Sequence, residues 1–149
     1  EERLDEARAA GAAHTVNYAT ADLTAEVKAL VPGGVDVVYD PVGGDIGWNS
    51  YRTLGALGRY GIVGFVGGIG SLPSNRILLG NRSAVGIDWG HWVGGHPLEN
   101  NDMLSDLMAF ASTGRLSPAV PELVPFVEVA DGLQRLLDRQ VSGKIVLSC

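Results

Sequence analysis

One cysteine, few basic residues and no apolar run near the ~20 residues of a membrane-spanning helix limit what this 149-residue chain can be. Cys149 has no second thiol to pair with, so no internal disulfide staples the fold, and a reducing, cytoplasmic setting is the expectation. Lys and Arg number 11 against 17 Asp and Glu, the net charge is −6, and the basic residues form no cluster. That leaves nucleic-acid binding without electrostatic support. With no signal-like start either, a membrane partner is not expected. An initial methionine is also missing. The chain opens with "EERLDEARAAGA", already inside a helical pattern, and the expectation is that more chain precedes Glu1. What is abundant is glycine, 21 residues, mostly beside apolar runs rather than in polar linkers, which suits tight turns between strands and helices. Hydrophobic residues at 46% and charged residues at 19% describe a globular chain.

The pattern alternates helix and strand. Residues 1–10 read as a helix with Leu4, Ala7 and Ala10 on one face, ended by Gly11. "HTVNY" (14–18) reads as a strand, 22–31 as a helix stopped by Pro32-Gly33-Gly34, and "VDVVYD" (35–40) as a strand apolar on both faces. Helix is expected at 45–57, weakened by Gly47, then strand at 58–65, a short helix at 73–81 and strand at 83–89. "GHWVGGHP" reads as a loop. Beyond it, Leu104, Leu107, Met108 and Ala111 share a helical face, "ELVPF" is extended, 127–140 is helical and 143–148 is a last strand. Strands alternating with helices of this length predict βαβ units, hence a parallel α/β sheet.

The strand "VDVVYD" stops at Asp-Pro-Val-Gly-Gly, and the carboxyl ends of such strands are where open α/β sheets receive ligands. Yet the phosphate-binding fingerprint G-x-G-x-x-G is missing. "GFVGGIGSLP" offers glycines at 64, 67, 68 and 70, but Pro73 stands where the last glycine would fall, and no Walker lysine occurs. On motifs alone, nucleotide binding has little support.

Five stretches in order, "RLDEARAAGAAHTVNY", "GVDVVYDPVGGD", "GALGRYGIVGF", "AVGIDWG" and "GRLSPAV…PFVEVADGLQRLLDRQVSGKIVL", resemble the C-terminal part of the medium-chain dehydrogenase/reductase superfamily, nearest its quinone-oxidoreductase branch. The resemblance covers essentially the whole chain. It implies an incomplete Rossmann-type parallel sheet, the third to sixth strands with their helices, over residues 1–96. Residues 97–149 would form C-terminal helices and a strand that pack toward a catalytic domain. The glycine loop would lie upstream of Glu1. Without the two central strands of the 3-2-1-4-5-6 order, "HTVNY" would lose its neighbour and "VDVVYD" would become an apolar edge, so the stretch alone is not expected to hold the family arrangement.

By the same resemblance, Tyr18 would contact the adenosine side of a cofactor, though a half-exposed strand-end tyrosine is the plain alternative. Gly44 would line the cofactor, or serve only as a strand-to-helix turn. Gly64, Phe65 and Val66 would bring backbone groups to the nicotinamide end, with Phe65 otherwise a core residue. Ile87, Asp88 and Trp89 would line the nicotinamide and substrate side. Trp89 and Trp92 either wall an apolar pocket or belong to a dimer interface. Lys144 would lie near the cofactor, or be a solvated strand-end lysine. Asp40 could act as a base, but a lone acid at a strand end more often caps the next turn. His91 and His96 lack further donors nearby, so no metal ligand is assigned. No catalytic residue is assigned either, because hydride transfer needs positioning more than an acid. The implied function is the cofactor-binding part of an NADPH-dependent (NADH possible) reductase. It would transfer hydride to a small-molecule acceptor, a quinone, an enone or a related carbonyl, and form a homodimer through the strand near 83–89. The alternative is a non-catalytic interaction or dimerisation module of the same fold.

Overall fold

The computed structural model describes residues 2–138 and 140–149. Glu1 of the expected first helix and Arg139 of the expected 127–140 helix lie outside the described residues. The chain divides into two compact units, the first ending at Trp92 and the second being Val93–Cys149.

In the first unit, α1 (Glu2–Ala9) ends at Gly11, whose φ of 103° is left-handed. Helix α2 (Leu23–Leu30) starts at Asp22, whose carboxylate accepts the Ala25 amide at 3.1 Å, a cap worth about 1 kcal/mol. Strand β1 (Val35–Asp40), α3 (Gly44–Arg52), β2 (Leu54–Ile62), α4 (Ser74–Leu79) and β3 (Ser83–Gly86) follow. The three strands form one sheet in the order β1-β2-β3, with both pairings parallel. Helix α5 (Trp89–Gly95) comes next.

The core of this unit is small and aromatic. Tyr51, Leu54 and Tyr60 are buried, with Val35, Val38, Trp48, Leu72 and Ile77 packed against them. Each such burial contributes about 1.5–3 kcal/mol. Tyr51 stacks on Trp48 and meets Tyr60 edge-on. Arg82, at the amino end of β3, lies over the Tyr51 ring at 5.3 Å and donates to the carbonyls of Leu54 and Gly55.

Several expected elements are corrected. Residues 14–18 form no strand. Among the described residues nothing pairs with them, and a strand exists only through a partner's ladder. The sheet therefore holds three of the four strands expected in this stretch. Helix α3 stops at Arg52 rather than reaching residue 57, because Leu54 begins β2. There β2 bulges: Val35 and Val37 of β1 face Leu54 and Arg59 of β2, and Leu57 takes a φ of 63°. Strand β2 ends at Ile62, short of the expected residue 65, and β3 at Gly86, short of 89. The expected loop after Trp89 is the helix α5, capped by the Asp88 carboxylate, which accepts the His91 amide at 2.9 Å. Strand β1 is the apolar edge strand expected when its central neighbour is lacking, and Val37 and Tyr39 stand exposed on it.

In the second unit, α6 (Pro97–Ser112) carries Leu104, Leu107 and Met108, which are exposed. Strand β4 (Glu122–Pro125), a short 3-10 turn (Phe126–Glu128), α7 (Val129–Leu137) and β5 (Ile145–Ser148) follow. Strands β4 and β5 pair in parallel, and Val124 and Val141 are buried. Arg135 grips the Glu122 carboxylate through two bonds of 2.7 and 2.8 Å, which holds the Glu122 carboxyl below its ordinary range. Among the described residues, no helix is long and apolar enough to cross a membrane.

Candidate functional site

The carboxyl ends of all three strands of the first sheet open into one cavity of about 1230 Å³. Tyr39 comes from the end of β1, Ile62 to Val66 from the end of β2, and Gly86 to Gly90 from the end of β3 and the start of α5. Parallel strands must be joined by crossovers, so their carboxyl ends collect loops, and this collection forms the cavity.

The loop after β1 is built by Asp40, which is buried although it ends an edge strand. One carboxylate oxygen accepts the amides of Val42 at 2.8 Å and Gly43 at 3.0 Å. The other accepts the Tyr60 hydroxyl. Asp40 therefore caps its own turn, and no geometry here presents it as a base. Burial and the neighbouring carboxylate push the Tyr60 hydroxyl well above the ordinary tyrosine range, so it stays a donor. Gly47, which weakens α3 on propensity grounds, proves necessary. A Cβ there would stand 2.5 Å from Asp40 Oδ2 and 2.7 Å from the Tyr60 hydroxyl.

The loops after β1 and β2 interlock. Asp40 O accepts the amides of Val63 at 2.9 Å and Gly64 at 3.3 Å, and Val42 O accepts Gly67 at 2.7 Å. Gly43 has a φ of 72°, and a Cβ on it would meet Gly68 O at 2.5 Å. Residues Phe65 to Gly68 close a turn by a 2.9 Å bond. The Phe65 and Val66 amides make no backbone bond among the described residues, while both side chains are exposed.

Six of the eight residues singled out from the sequence, Gly64, Phe65, Val66, Ile87, Asp88 and Trp89, line this one cavity. Gly44 lies beside it, at the start of α3, lining two smaller cavities. Tyr18 is exposed in a turn held by Asn17 and is not among the lining residues. Phe65, for which a core position was the alternative, is exposed. Tyr39, Ile62, Val63, Gly86 and Gly90 also line the cavity and were not singled out. The position of Tyr39 near the end of β1 was the available signal.

Residues 1–112 match the model of a family described as zinc-binding dehydrogenase. The chain belongs to that family. It is a cofactor-domain part of the medium-chain dehydrogenase/reductase fold, on the quinone-oxidoreductase branch. It is 38% identical over 150 residues to the Bos taurus "Quinone oxidoreductase-like protein 2", covering 99% of this chain and 43% of the bovine one. The chain thus spans about two fifths of the length of curated relatives such as this one. In fold it resembles the Escherichia coli quinone oxidoreductase solved with NADPH, with a TM-score of 0.82 and 20% identity, over 99% of this chain and 47% of that one. An NAD-dependent alcohol dehydrogenase superposes with a TM-score of 0.81 at 29% identity, over 99% of this chain and 41% of that one. The family's description names zinc, but among the described residues no three His, Cys, Asp or Glu side chains come together to hold a metal ion, so no step is assigned to one.

Proposed function

We propose that this stretch is the nicotinamide-side half of the cofactor site of an NADPH-dependent reductase acting on a quinone, an enone or a related carbonyl. The observation that carries the reading is the single cavity at the carboxyl ends of β1, β2 and β3, which gathers Gly64 to Val66 and Ile87 to Trp89. The residues fit a nicotinamide. Gly86 has open space where a Cβ would stand, so a flat ring can approach the backbone there. The unbonded amides of Phe65 and Val66 offer donors suited to a carboxamide. Phe65, Trp89 and Tyr39 border the cavity with apolar aromatic surface suited to a flat ring. When bound, the cofactor supplies the hydride, and the chain's part is to hold and orient the ring. NADPH rather than NADH is supported by the bound cofactor of the Escherichia coli relative. The NAD-dependent relative keeps NADH as the second candidate.

In the full-length protein, NADPH should quench the emission of Trp89 and Trp92. Reduced-nicotinamide absorbance should then fall when quinones or enones are added. NADPH binding without oxidation by any acceptor would overturn the reductase reading, and no binding of NADPH or NADH would overturn the cofactor site itself. A homodimer belongs to the same proposal, favoured by the exposed edge of β3, where Ser83 to Gly86 pair with β2 alone among the described residues. Light scattering at several concentrations tests it, and a monomer throughout would remove it.

A further inference from the structure

We infer that the buried pair Asp40–Tyr60 is a positioning device of the site, setting the turn after β1 and, through it, the loop after β2 that lines the cavity, while touching no ligand itself. The inference rests on the cofactor reading for its functional consequence, but its structural half stands on the contacts alone.

A buried carboxylate is costly unless each oxygen is bonded. Here one oxygen is saturated by two amides of its own turn, and the other depends on the Tyr60 hydroxyl and a longer 3.2 Å contact from Gly43. Tyr60 belongs to β2, two residues before the strand ends at Ile62. The bond therefore ties the turn after β1 to the body of the neighbouring strand. That turn is in hard contact with the loop after β2, through the Gly67 amide on Val42 O and through Gly43, which has no room for a Cβ beneath Gly68 O. A shift of the turn passes directly to the loop at residues 63–68, of which Val63 to Val66 line the cavity. Without the hydroxyl, Asp40 Oδ2 has little left to hold it, the carboxylate can swing toward water, and the amides of Val42 and Gly43 lose their fixed acceptor.

Tyr51 provides the control within the same aromatic cluster. It is buried as deeply as Tyr60, yet among the described residues its hydroxyl has no hydrogen-bond partner. Tyr51→Phe removes an equal atom from the same core without touching the loops.

The test compares the full-length protein with its Tyr60→Phe and Tyr51→Phe variants by NADPH titration, steady-state kinetics and amide hydrogen exchange. Tyr60→Phe should raise the NADPH dissociation constant and KM about tenfold. It should leave kcat within about twofold. Exchange of the Val42, Gly43 and Gly67 amides should quicken while α2 stays protected. Tyr51→Phe should change none of these. Equal cofactor affinity and equal exchange in Tyr60→Phe, or equal effects from the two variants, would overturn the inference. If the unaltered protein bound no nicotinamide, the cofactor reading would fall, and the exchange rates would still decide whether Tyr60 holds the loops.

Discussion

The two ends of the three-stranded sheet are fastened by opposite charges. At the amino end, the guanidinium of Arg82 takes the carbonyls of Leu54 and Gly55 and lies over the buried ring of Tyr51. At the carboxyl end, the carboxylate of Asp40 takes the amides of Val42 and Gly43 and the hydroxyl of Tyr60. Each device satisfies backbone groups that the ladder leaves over. Their surroundings differ. The cation closes its end against an aromatic core, whereas the anion braces loops that leave Phe65 and Val66 exposed around an open cavity. One end is built for stability. The other spends the same kind of interaction on holding a concave surface open.

That contrast can be broken most strongly at Arg82. Arg82→Met keeps a flexible apolar side chain but leaves the two carbonyls unpaired, and should cost about 2–3 kcal/mol of unfolding free energy in the full-length protein. Urea denaturation measures it, and NADPH affinity of the protein that remains folded should not change. An affinity loss comparable to the stability loss would show that the two ends are not separate devices.

The carboxyl end should respond in the opposite sense. Gly86→Val places a side chain into open space at the end of β3, where it crowds the cavity. NADPH affinity should fall about tenfold. The melting temperature should not drop, since a β-branched residue suits a strand. A drop in melting temperature without loss of affinity would place the cofactor elsewhere.

The smallest effect concerns alkaline pH. The folded state holds the Tyr60 proton more tightly than the unfolded chain does. Its contribution is therefore whole below the unfolded tyrosine value of about 10 and is lost as pH rises beyond it. Thermal melts carried from neutral pH to beyond the unfolded tyrosine value should show a decline only above that value of about 10, and Tyr60→Phe should flatten it. An identical decline in the variant would assign the alkaline loss to another group.

Much of the fold was legible because its signals are local. Asp22 before an apolar period marks the start of α2, and Pro32-Gly33-Gly34 marks the turn into β1. Six of the eight residues singled out line the cavity, but it was the family resemblance and not a local pattern that pointed to them. The errors share one cause. His14 to Tyr18 has strand propensity as good as that of Val35 to Asp40, but only the second has a neighbour to bond with. The bulge at Leu54 to Gly58 was hidden inside a helical period, since register is a property of two strands and not of one. Gly47 was read as a weakness because propensity cannot register a carboxylate brought up from another element.

The sequence by itself determined the alternation of helices and strands, the parallel sheet that follows from it, and the apolar, glycine-rich ends at which a ligand site would form. These depend on side-chain periodicity and on backbone freedom, both of which act within a few residues. Only the tertiary structure decided which segments found partners and which groups the Asp40 carboxylate accepts. It alone showed that Tyr60, twenty residues away, bonds the second oxygen of the Asp40 carboxylate. Burial and pairing are made between distant parts of a chain, and no local pattern records them.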